Sequence, residues 1–357
     1  MDRAEEQQFT SVCDGGEGAQ ACDNIAKAGV QKQALDKKVE ALEELRSAPR
    51  TTAIAQIRKA LADRNNWLAS KAAALAAALS LTELLPDLLV CFDRFLVDPV
   101  NSDPQCWAKT AIAKALKDLG HRDGQVFLSG LTHVQLEPVW GGRQDSAATL
   151  RGTCALALVD CQLDDLTILG HLTDGLADLE KPVRIDTAIA IAQLARSEGA
   201  LLLRLKVLLG DAEPEVMGQC FLSLLSLDTH GSVQFIAKFL DSKDEDICLE
   251  AACALPQSRE QQALETLRKF WQRRLSPELR RAVLVSLGGS PLPEAAEFLL
   301  SLVAAESNEV SEKALAALAA SRFRSDLKER IAAVVETKRD PILKQIFERQ
   351  FPKTEVP

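Results

Sequence analysis

The apolar and polar positions along most of the chain follow a repeat of about 32 residues. Each repeat begins with an apolar anchor residue directly after a polar or proline-containing turn. In most repeats a small residue follows seven positions later, and a large aliphatic residue comes one position after that. These three positions share one helical face, so each anchor predicts a helix that packs against its neighbours. The anchors are Trp67, Trp107, Leu150, Val183, Val216, Ile247, Leu279, Val310 and Ile342.

A second apolar segment follows the regular anchor helices after a turn that contains Gly or Ser, as at residues 200–209 and 294–304. Proline often stands near the first turn of the anchor helix, where the backbone N–H has no partner within the helix. The repeating unit is therefore a pair of helices. The pattern predicts an all-α fold, a right-handed α-α superhelix of about nine helix pairs that stack as a solenoid.

The chain divides into four predicted segments. Residues 1–33 are rich in Gln, Glu, Gly and Asp and are predicted to be a disordered polar tail. Residues 34–63 form a predicted N-terminal cap pair, and residues 64–340 carry the repeats. Residues 341–357 are a predicted C-terminal capping helix and tail. We expect residues 34–357 to form one solenoid, because such a fold buries its core along its length.

Two segments carry a recognisable signature at the start of a repeat. Residues 180–184 read Glu-Lys-Pro-Val-Arg, with Ala188 and Ala190 following, and residues 276–282 read Ser-Pro-Glu-Leu-Arg-Arg-Ala. These segments resemble the Asp-x-x-Val-Arg-x-x-Ala signature of the HEAT-repeat family, in particular its short bacterial bilin-lyase-like repeats. The resemblance covers roughly residues 50–345 and implies the solenoid fold but no particular activity. The signature Arg is replaced at Met217, Cys248 and Ser311.

Composition and charge narrow the possible functions. Aromatic residues make up 4% of the chain and Tyr is absent, which disfavours both a β-sheet fold and the related tetratricopeptide repeats. The net charge of −9 disfavours nucleic acid as a partner. No apolar stretch is long enough for a membrane span, so no membrane contact is predicted. Nine cysteines without close pairing, and no apolar segment at the N-terminus, predict a cytoplasmic location.

One segment departs from the regular repeat and is the first candidate binding site. The period lengthens between Trp107 and Val183, and the extra residues 133–145 bring together a Trp, two adjacent Gly, an Arg, a His and a Glu. Insertions in a repeat protein form loops, often on a binding face. Trp140 has two possible roles: it anchors a partner, or it fills a gap left by the irregular repeat. The candidate binding residues are Gln135, Glu137, Trp140, Gly141, Gly142 and Arg143.

The same segment is the basis of an alternative, an enzyme or small-ligand binder with a lyase-like site around His133–Arg151. A pocket lined by Trp107, His133, Glu137 and Arg151 would favour it. A His/Glu pair can do acid–base work, but Pro138 pushes residue 137 away from helical angles. The four His residues lack the His-Glu dipeptides of metal-dependent HEAT enzymes of the deoxyhypusine hydroxylase kind. We therefore predict no catalytic residues, no metal and no cofactor.

A basic patch at residues 268–281 supports a third possibility, the binding of nucleic acid. An aromatic ring among cations can stack on a base while the cations bind phosphates. The competing interpretation is a solvated helix face with Trp271 partly in the core. The patch consists of Arg268, Lys269, Trp271, Arg273 and Arg274, continued by Arg280 and Arg281.

The preferred function is that of a non-enzymatic scaffold or adaptor for a protein partner. Solenoids present long curved surfaces that suit protein segments. We expect the concave surface to be built mainly from the second helix of each pair, with the irregular loop near residues 133–145 as an additional contact.

Overall fold

The computed structural model describes residues 33–352, and these residues form twenty α-helices and one two-stranded β-hairpin. The predicted all-α fold is confirmed. Most of the predicted tail, residues 1–32, lies outside the described residues, as do residues 353–357. Contacts divide the chain into two compact units, Met1–Gln162 and Leu163–Pro357, here called the N-terminal unit and the C-terminal unit.

The N-terminal unit contains eight helices and the hairpin within its described residues. Helix α3 packs on α6, and α6 packs on α8, while α2 and α4 cover α3 and α6. The elements are α1 (33–44), α2 (Arg50–Leu61), α3 (Asn66–Ala78), α4 (Leu85–Leu96), α5 (Pro99–Ser102), α6 (Trp107–Asp118), α7 (Gln125–Leu131), β1 (Leu136–Val139), β2 (Gly142–Asp145) and α8 (Ala148–Leu158).

The C-terminal unit is a regular stack of helices. The anchor helices α10, α12, α14, α16, α18 and α20 pack on one another in chain order, and the intervening helices form a second layer. The helices are α9 (Asp165–Gly175), α10 (Lys181–Gln193), α11 (Ser197–Leu209), α12 (Pro214–Leu227), α13 (Thr229–Ala237), α14 (Glu245–Ala254), α15 (Gln261–Trp271), α16 (Pro277–Gly288), α17 (Pro293–Ala305), α18 (Asn308–Ala320), α19 (Lys328–Lys338) and α20 (Pro341–Gln350).

The predicted repeat register holds in α10 and α12 of the C-terminal unit. In α20 it is wrong by one residue, because the predicted anchor Ile342 is 56% exposed and Leu343 after it is buried. In α10 the anchor Val183, the small Ala190 and the large Ile191 are all fully buried. The same three positions in α12 are buried as well. A small side chain at the seventh position lets neighbouring anchor helices come close, which is the physical reason for the repeat.

The register is wrong by one residue in α6 of the N-terminal unit. Trp107 is the first residue of this helix and remains 49% exposed, and Lys114 seven positions later is exposed too. The buried set is instead Ala108, Ala115 and Leu116. The small-then-large pattern is therefore present in α6, but it starts one residue after the Trp.

The position directly after the anchor explains the signature Arg. Arg184 is buried and donates to both carboxylate oxygens of Asp211 at 2.8 and 2.9 Å, and to the carbonyl oxygens of Asp178 and Leu179 in the turn before α10. Where Arg is replaced, Ser311 donates to the carbonyl of Val303 at 3.0 Å, in the last turn of the preceding helix. The last-turn carbonyl of Val303 lacks a partner within its own helix, so Ser311 satisfies it, whereas Arg184 satisfies carbonyls of the turn before its own helix.

Candidate functional site

Residues 136–145 form an antiparallel hairpin, where the sequence predicted an insertion loop. Leu136 pairs with Asp145 and Val139 pairs with Gly142, which leaves a two-residue turn at Trp140 and Gly141. Gly141 has φ of +89°, a backbone shape that glycine adopts without steric cost. Trp140 stands at the tip and is fully exposed to solvent. The gap-filling role for Trp140 therefore does not describe this structure.

The base of the hairpin is held by Glu137, whose carboxylate is buried. Its Oε1 atom accepts hydrogen bonds from the backbone N of Gln105 at 2.6 Å, Nε2 of Gln135 at 2.7 Å and Oγ of Ser146 at 2.5 Å. Its Oε2 atom accepts from Nε2 of Gln105 at 3.0 Å. Four donors on one carboxylate fix the side chain and, with it, the strand that carries it.

Gln135 connects this carboxylate to a buried ion pair. Its Nε2 atom also donates to the carbonyl oxygen of Asp103 at 2.8 Å. The Asp103 carboxylate lies 3.0 Å from Nζ of Lys109, and both side chains have no exposed surface. Asn66 and the backbone N of Ala108 donate to the other carboxylate oxygen. The hydrogen bonds of the hairpin base thus continue into the core between α3 and α6.

The second strand is anchored by Asp145. Its Oδ1 atom accepts from the backbone N of Gln135 and of Ala147, and its Oδ2 atom accepts from Nη1 of Arg151 at 2.6 Å. Arg151 is buried in α8 and also donates to the carbonyl oxygen of His133 at 2.9 Å. Both ends of the hairpin are therefore tied to helices of the N-terminal unit.

The electrostatics of the base favour ionised carboxylates. Burial alone would raise the pKa of Glu137, but the hydrogen bonds from Ser146, Gln135 and Gln105 outweigh it and hold the pKa below its usual value. For Asp145, burial likewise acts to raise the pKa, and backbone donors together with Arg151 bring it below the usual range. Glu137 and Asp145 are therefore ionised at neutral pH.

A tight turn brings Gln105 to the hairpin. Gln105 and Cys106 are consecutive non-glycine residues with φ of +63° and +54°, directly before α6. Such left-handed backbone costs energy for any residue with a Cβ atom, and it persists only where its surroundings hold it. Here the hydrogen bonds from Gln105 to Glu137 keep the backbone in this conformation. The hairpin and the start of α6 therefore stabilise each other.

The acid–base pair of the alternative enzyme hypothesis, His133 and Glu137, is not assembled. Oε1 of Gln135 lies 3.3 Å from Nε2 of His133, while Nε2 of the same amide bonds to Glu137, so Gln135 separates the His from the Glu. An amide has no proton that titrates near neutral pH, and it cannot relay acid–base chemistry. Burial also raises the pKa of the nearby Cys106 thiol to about 12, which removes a thiolate nucleophile. The geometry thus supports a structural role for these residues.

The candidate binding residues separate into a buried base and an exposed tip. Gln135 and Glu137 belong to the base, whereas Trp140, Gly141, Gly142 and Arg143 are exposed. The sequence predicted all six as one contact surface. Their alternation along the strands, with Glu137 inside and Pro138 outside, follows from the period of two in a β-strand.

A second exposed aromatic cluster was missed because both residues were taken as core anchors. The rings of Trp67 and Trp107 meet edge to face, with centroids 5.1 Å apart. The ammonium of Lys71 lies 4.3 Å from the centre of the Trp67 ring. The sequence did contain a signal that Trp107 is not the anchor. The small-then-large pair Ala115–Leu116 fits the repeat only if the anchor is Ala108, the residue after Trp107. Three of the four Trp residues are thus at least partly exposed, and all three belong to the N-terminal unit.

The residues of the basic patch do not form one free surface, because several of them contact other residues of the C-terminal unit. Trp271 is buried, and its Nε1 atom donates to Oε1 of Glu306 at 2.9 Å, so nucleic acid could not stack on it without opening the core. Arg273 pairs with Asp241 at 2.6 Å. Arg268 lies over the ring of Phe298. Lys269 and Arg274 are exposed on the same stretch of chain. This arrangement corresponds to the interpretation of a solvated helix face with Trp271 in the core.

An open groove of mixed charge lies between α14 and α16. Its volume is about 710 Å³, and carboxylates, one cation and apolar groups line it. It lies on anchor helices, whereas the sequence placed the binding surface mainly on the second helices. The lining includes Glu245, Asp246, Glu278, Arg281, Leu249 and Val285.

Within residues 33–352, no cluster of three or more His, Cys, Asp or Glu side chains has the arrangement of a metal site. None of the helices in this range is long and apolar enough to cross a membrane.

The fold and the site together define a helical-repeat protein with a β-hairpin whose base is fixed by hydrogen bonds. A family model of HEAT repeats matches residues 238–319. Over these residues the chain is made of HEAT repeats, which confirms the family that the signature segments resemble. The comparison with curated protein sequences gives no match.

Solved structures with a similar arrangement are distant in sequence. The complex of CpcE and CpcF of phycocyanin lyase from Nostoc sp. is 19% identical, over 64% of this chain and 88% of that chain, with a TM-score of 0.36. Human deoxyhypusine hydroxylase in complex with glycerol is 18% identical, over 73% and 97%, with a TM-score of 0.28. An engineered protein is 16% identical, over 83% and 93%, with a TM-score of 0.16. Likeness at this level carries no functional argument for this chain.

Proposed function

We propose that this protein is a non-enzymatic scaffold or adaptor that binds a protein partner through the hairpin of its N-terminal unit. The observation that carries the proposal is the contrast within the hairpin. Its base is buried and fully hydrogen bonded, while Trp140 at its tip contacts solvent over its whole surface. A Trp that contributes nothing to the core has no evident role in folding, and Trp is among the residues most enriched at the energetic centres of interfaces.

The fixed base makes such a contact effective. A loop that becomes ordered on binding loses conformational entropy, and that loss weakens the complex. Here Glu137 and Asp145 already hold the two strands, so the tip is presented in one conformation before any partner arrives. Preorganised Trp140 would insert into an apolar pocket of the partner, and the exposed guanidinium of Arg143 would pair with a carboxylate beside that pocket.

The Trp67–Trp107 cluster extends this proposed surface. Trp107 follows Gln105 by two residues, and Gln105 is bonded to Glu137 at the hairpin base. The same contact therefore positions both the hairpin and the start of α6. We propose that Trp67, Trp107 and Lys71 contribute a second, weaker contact to the same partner. The mixed groove between α14 and α16 also suits a protein segment, and a cytoplasmic location remains our prediction.

Affinity capture from native lysate, followed by mass spectrometry, tests the proposal. The wild-type chain should retain a reproducible partner. Trp140→Ala and Arg143→Ala should abolish or strongly reduce its capture while leaving the melting temperature unchanged, because neither side chain is buried. Leu179→Ala is the matched control, since Leu179 is an equally exposed apolar residue of the C-terminal unit.

Two results would count against the proposal. Undiminished capture by both hairpin variants would show that the partner binds elsewhere, and the mixed groove would become the next candidate. A marked fall in melting temperature for Trp140→Ala would show that the side chain supports the fold, since burial of a Trp contributes about 3–5 kcal/mol.

A further inference from the structure

Helix α11 of the C-terminal unit is apolar on two opposite faces. Gly199, Leu203 and Val207 recur every four residues and are buried against the neighbouring helices. The opposite face carries four leucines that remain in solvent. Leu201, Leu205, Leu208 and Leu209 are 69%, 55%, 68% and 76% exposed. A surface helix normally has polar residues there, so this stripe of leucines is anomalous for a helix that faces water.

The charges of α11 do not interrupt the stripe. Glu198 lies in the first turn, before the first leucine of the stripe, and accepts a hydrogen bond from Ser197. Between residues 200 and 209 only Arg204 and Lys206 are charged. The guanidinium of Arg204 lies over the ring of Phe235, 4.1 Å from its centre. The ammonium of Lys206 pairs with Asp211 at 2.7 Å. Both cations are therefore held to the flanks by contacts within the chain, and the outward face between them is purely aliphatic.

The leucines are arranged symmetrically about Leu205. Leu201 and Leu209 lie four residues before and after it, and Leu202, which is half-buried, and Leu208 lie three residues before and after it. At 100° per residue these pairs also fall at equal angles on either side of Leu205. The pattern therefore reads the same in both directions along the helix.

We propose that a second copy of this chain covers the stripe, with the two α11 helices antiparallel and related by a twofold axis through Leu205. A twofold interface requires one surface to be complementary to itself, and a symmetric stripe meets that requirement. Leu205 then meets Leu205 of the second copy. Leu201 meets Leu209 of the second copy, and Leu202 meets Leu208 of the second copy.

The charges favour a second copy over a lipid surface. Helices that lie on membranes carry Lys and Arg free to reach anionic headgroups. On α11 both cations are already engaged, and the chain carries a net charge of −9. The stripe spans nine residues, which is short for a stable dimer interface. We therefore expect reversible, concentration-dependent association. This inference concerns the C-terminal unit and does not rest on the proposed function of the hairpin.

Sedimentation equilibrium of the full chain, from about 1 µM to about 1 mM, tests the proposal. The wild-type chain should pass from monomer to dimer over this range. Leu205→Glu and Leu205→Lys should each stay monomeric, because each places two like charges together on the axis. An equimolar mixture of the two variants should recover the dimer, because unlike charges then meet. Only a residue that contacts its own counterpart gives this rescue.

Val285→Glu provides the matched control, since Val285 is a similarly exposed apolar residue on α16, and it should dimerise like wild type. Circular dichroism should show unchanged helicity for every variant, since both positions face solvent. A wild-type monomer throughout the range overturns the proposal, and binding of that monomer to vesicles of anionic phospholipid would assign the stripe to a membrane instead. Dimerisation of either Leu205 variant alone, or no rescue in the mixture, overturns the antiparallel arrangement.

Discussion

The two units of the chain bury different kinds of polar group. The N-terminal unit buries mainly charged and amide side chains, most of which belong to the network at the base of one hairpin. Its buried polar residues are Asn66, Ser70, Asp103, Lys109, Gln135, Glu137 and Arg151. The C-terminal unit buries mainly hydroxyls, which are spread over its repeats. Its buried polar residues are Thr187, Ser223, Ser232, Ser258, Ser290, Ser311 and Ser321, together with Arg184.

The difference follows from what each unit has to hold in place. In a regular stack the same need recurs at each repeat, namely a partner for the last-turn carbonyls of a helix. Ser232 donates to Leu224 O and Ser311 donates to Val303 O, so a small neutral donor is sufficient. The hairpin interrupts the stack and has no equivalent elsewhere. It is fixed by a directional network that cannot shift by one residue without losing several charged hydrogen bonds.

The largest expected effect comes from breaking the buried ion pair of the N-terminal unit. Lys109→Ala leaves the Asp103 carboxylate buried without its cation, which should lower the free energy of unfolding by about 3–5 kcal/mol. Urea unfolding followed by Trp fluorescence measures it, because three of the four Trp residues lie in this unit. Arg50→Ala removes an exposed ion pair with Glu83 and should change the urea midpoint little. Equal midpoints for both variants would contradict the proposed importance of the network.

The second largest effect is expected from overpacking, in which a small residue is replaced by a large one. It should destabilise the C-terminal unit more than the N-terminal unit. Ala254→Trp, like Ala190→Trp, enlarges a buried small residue between anchor helices of the C-terminal unit and should cost about 1–3 kcal/mol. Ala74→Trp changes the residue at the same predicted register position in α3, but that position is exposed and should tolerate the larger side chain. Circular dichroism in urea compares them. A strongly destabilised Ala74→Trp would show that the predicted register is correct in α3.

A smaller effect is expected at the hairpin tip. Gly141→Ala forces a Cβ atom into left-handed backbone and should cost about 1–2 kcal/mol, although no neighbouring atom would clash with it. Gly142→Ala lies in β2 without that constraint and should be nearly neutral. Hydrogen exchange of residues 136–145 would detect the local loosening. Equal protection in both variants would mean that the turn can adopt another shape.

The smallest expected effect is the pH dependence that the two carboxylates of the hairpin base add to the stability of the N-terminal unit. The folded pKa of Glu137 and of Asp145 lies below the ordinary value, so their contribution to stability is complete well above about pH 4.3, where the unfolded carboxylates are fully ionised. It is lost as the pH falls through the lower folded values. In Glu137→Gln the urea midpoint should fall less than in wild type between about pH 5 and pH 3. Trp140→Ala, which removes no titrating group, should keep the wild-type slope.

The helical repeat could be predicted because its signal is local. The anchor, the small residue and the large residue lie within nine positions of one another and recur many times, so Val183, Ala190 and Ile191 identify a buried face without knowledge of the fold. The register failed at Trp107 because an apolar ring at the start of a helix looks the same in sequence whether it faces the core or solvent.

The hairpin base could not be predicted because its contacts are distant in sequence. Gln105 and Glu137 are 32 residues apart, and only the folded chain shows that a backbone amide of one meets the carboxylate of the other. The hairpin itself left a weak signal, since Trp140 and Gly141 form a two-residue turn between short extended segments. Pro138 within the first strand and the lack of a clear apolar alternation obscured it.

The separation of base and tip in the hairpin has a consequence for how its sequence can change over time. The residues of the turn, Trp140 and Gly141, contact little of the rest of the protein, so most substitutions at position 140 leave folding unaffected. Selection on partner choice can therefore act on the tip while selection on stability acts on Glu137 and Asp145. The same independence makes the turn a suitable place to graft a foreign binding sequence, because the strands that flank it are closed by their own hydrogen bonds.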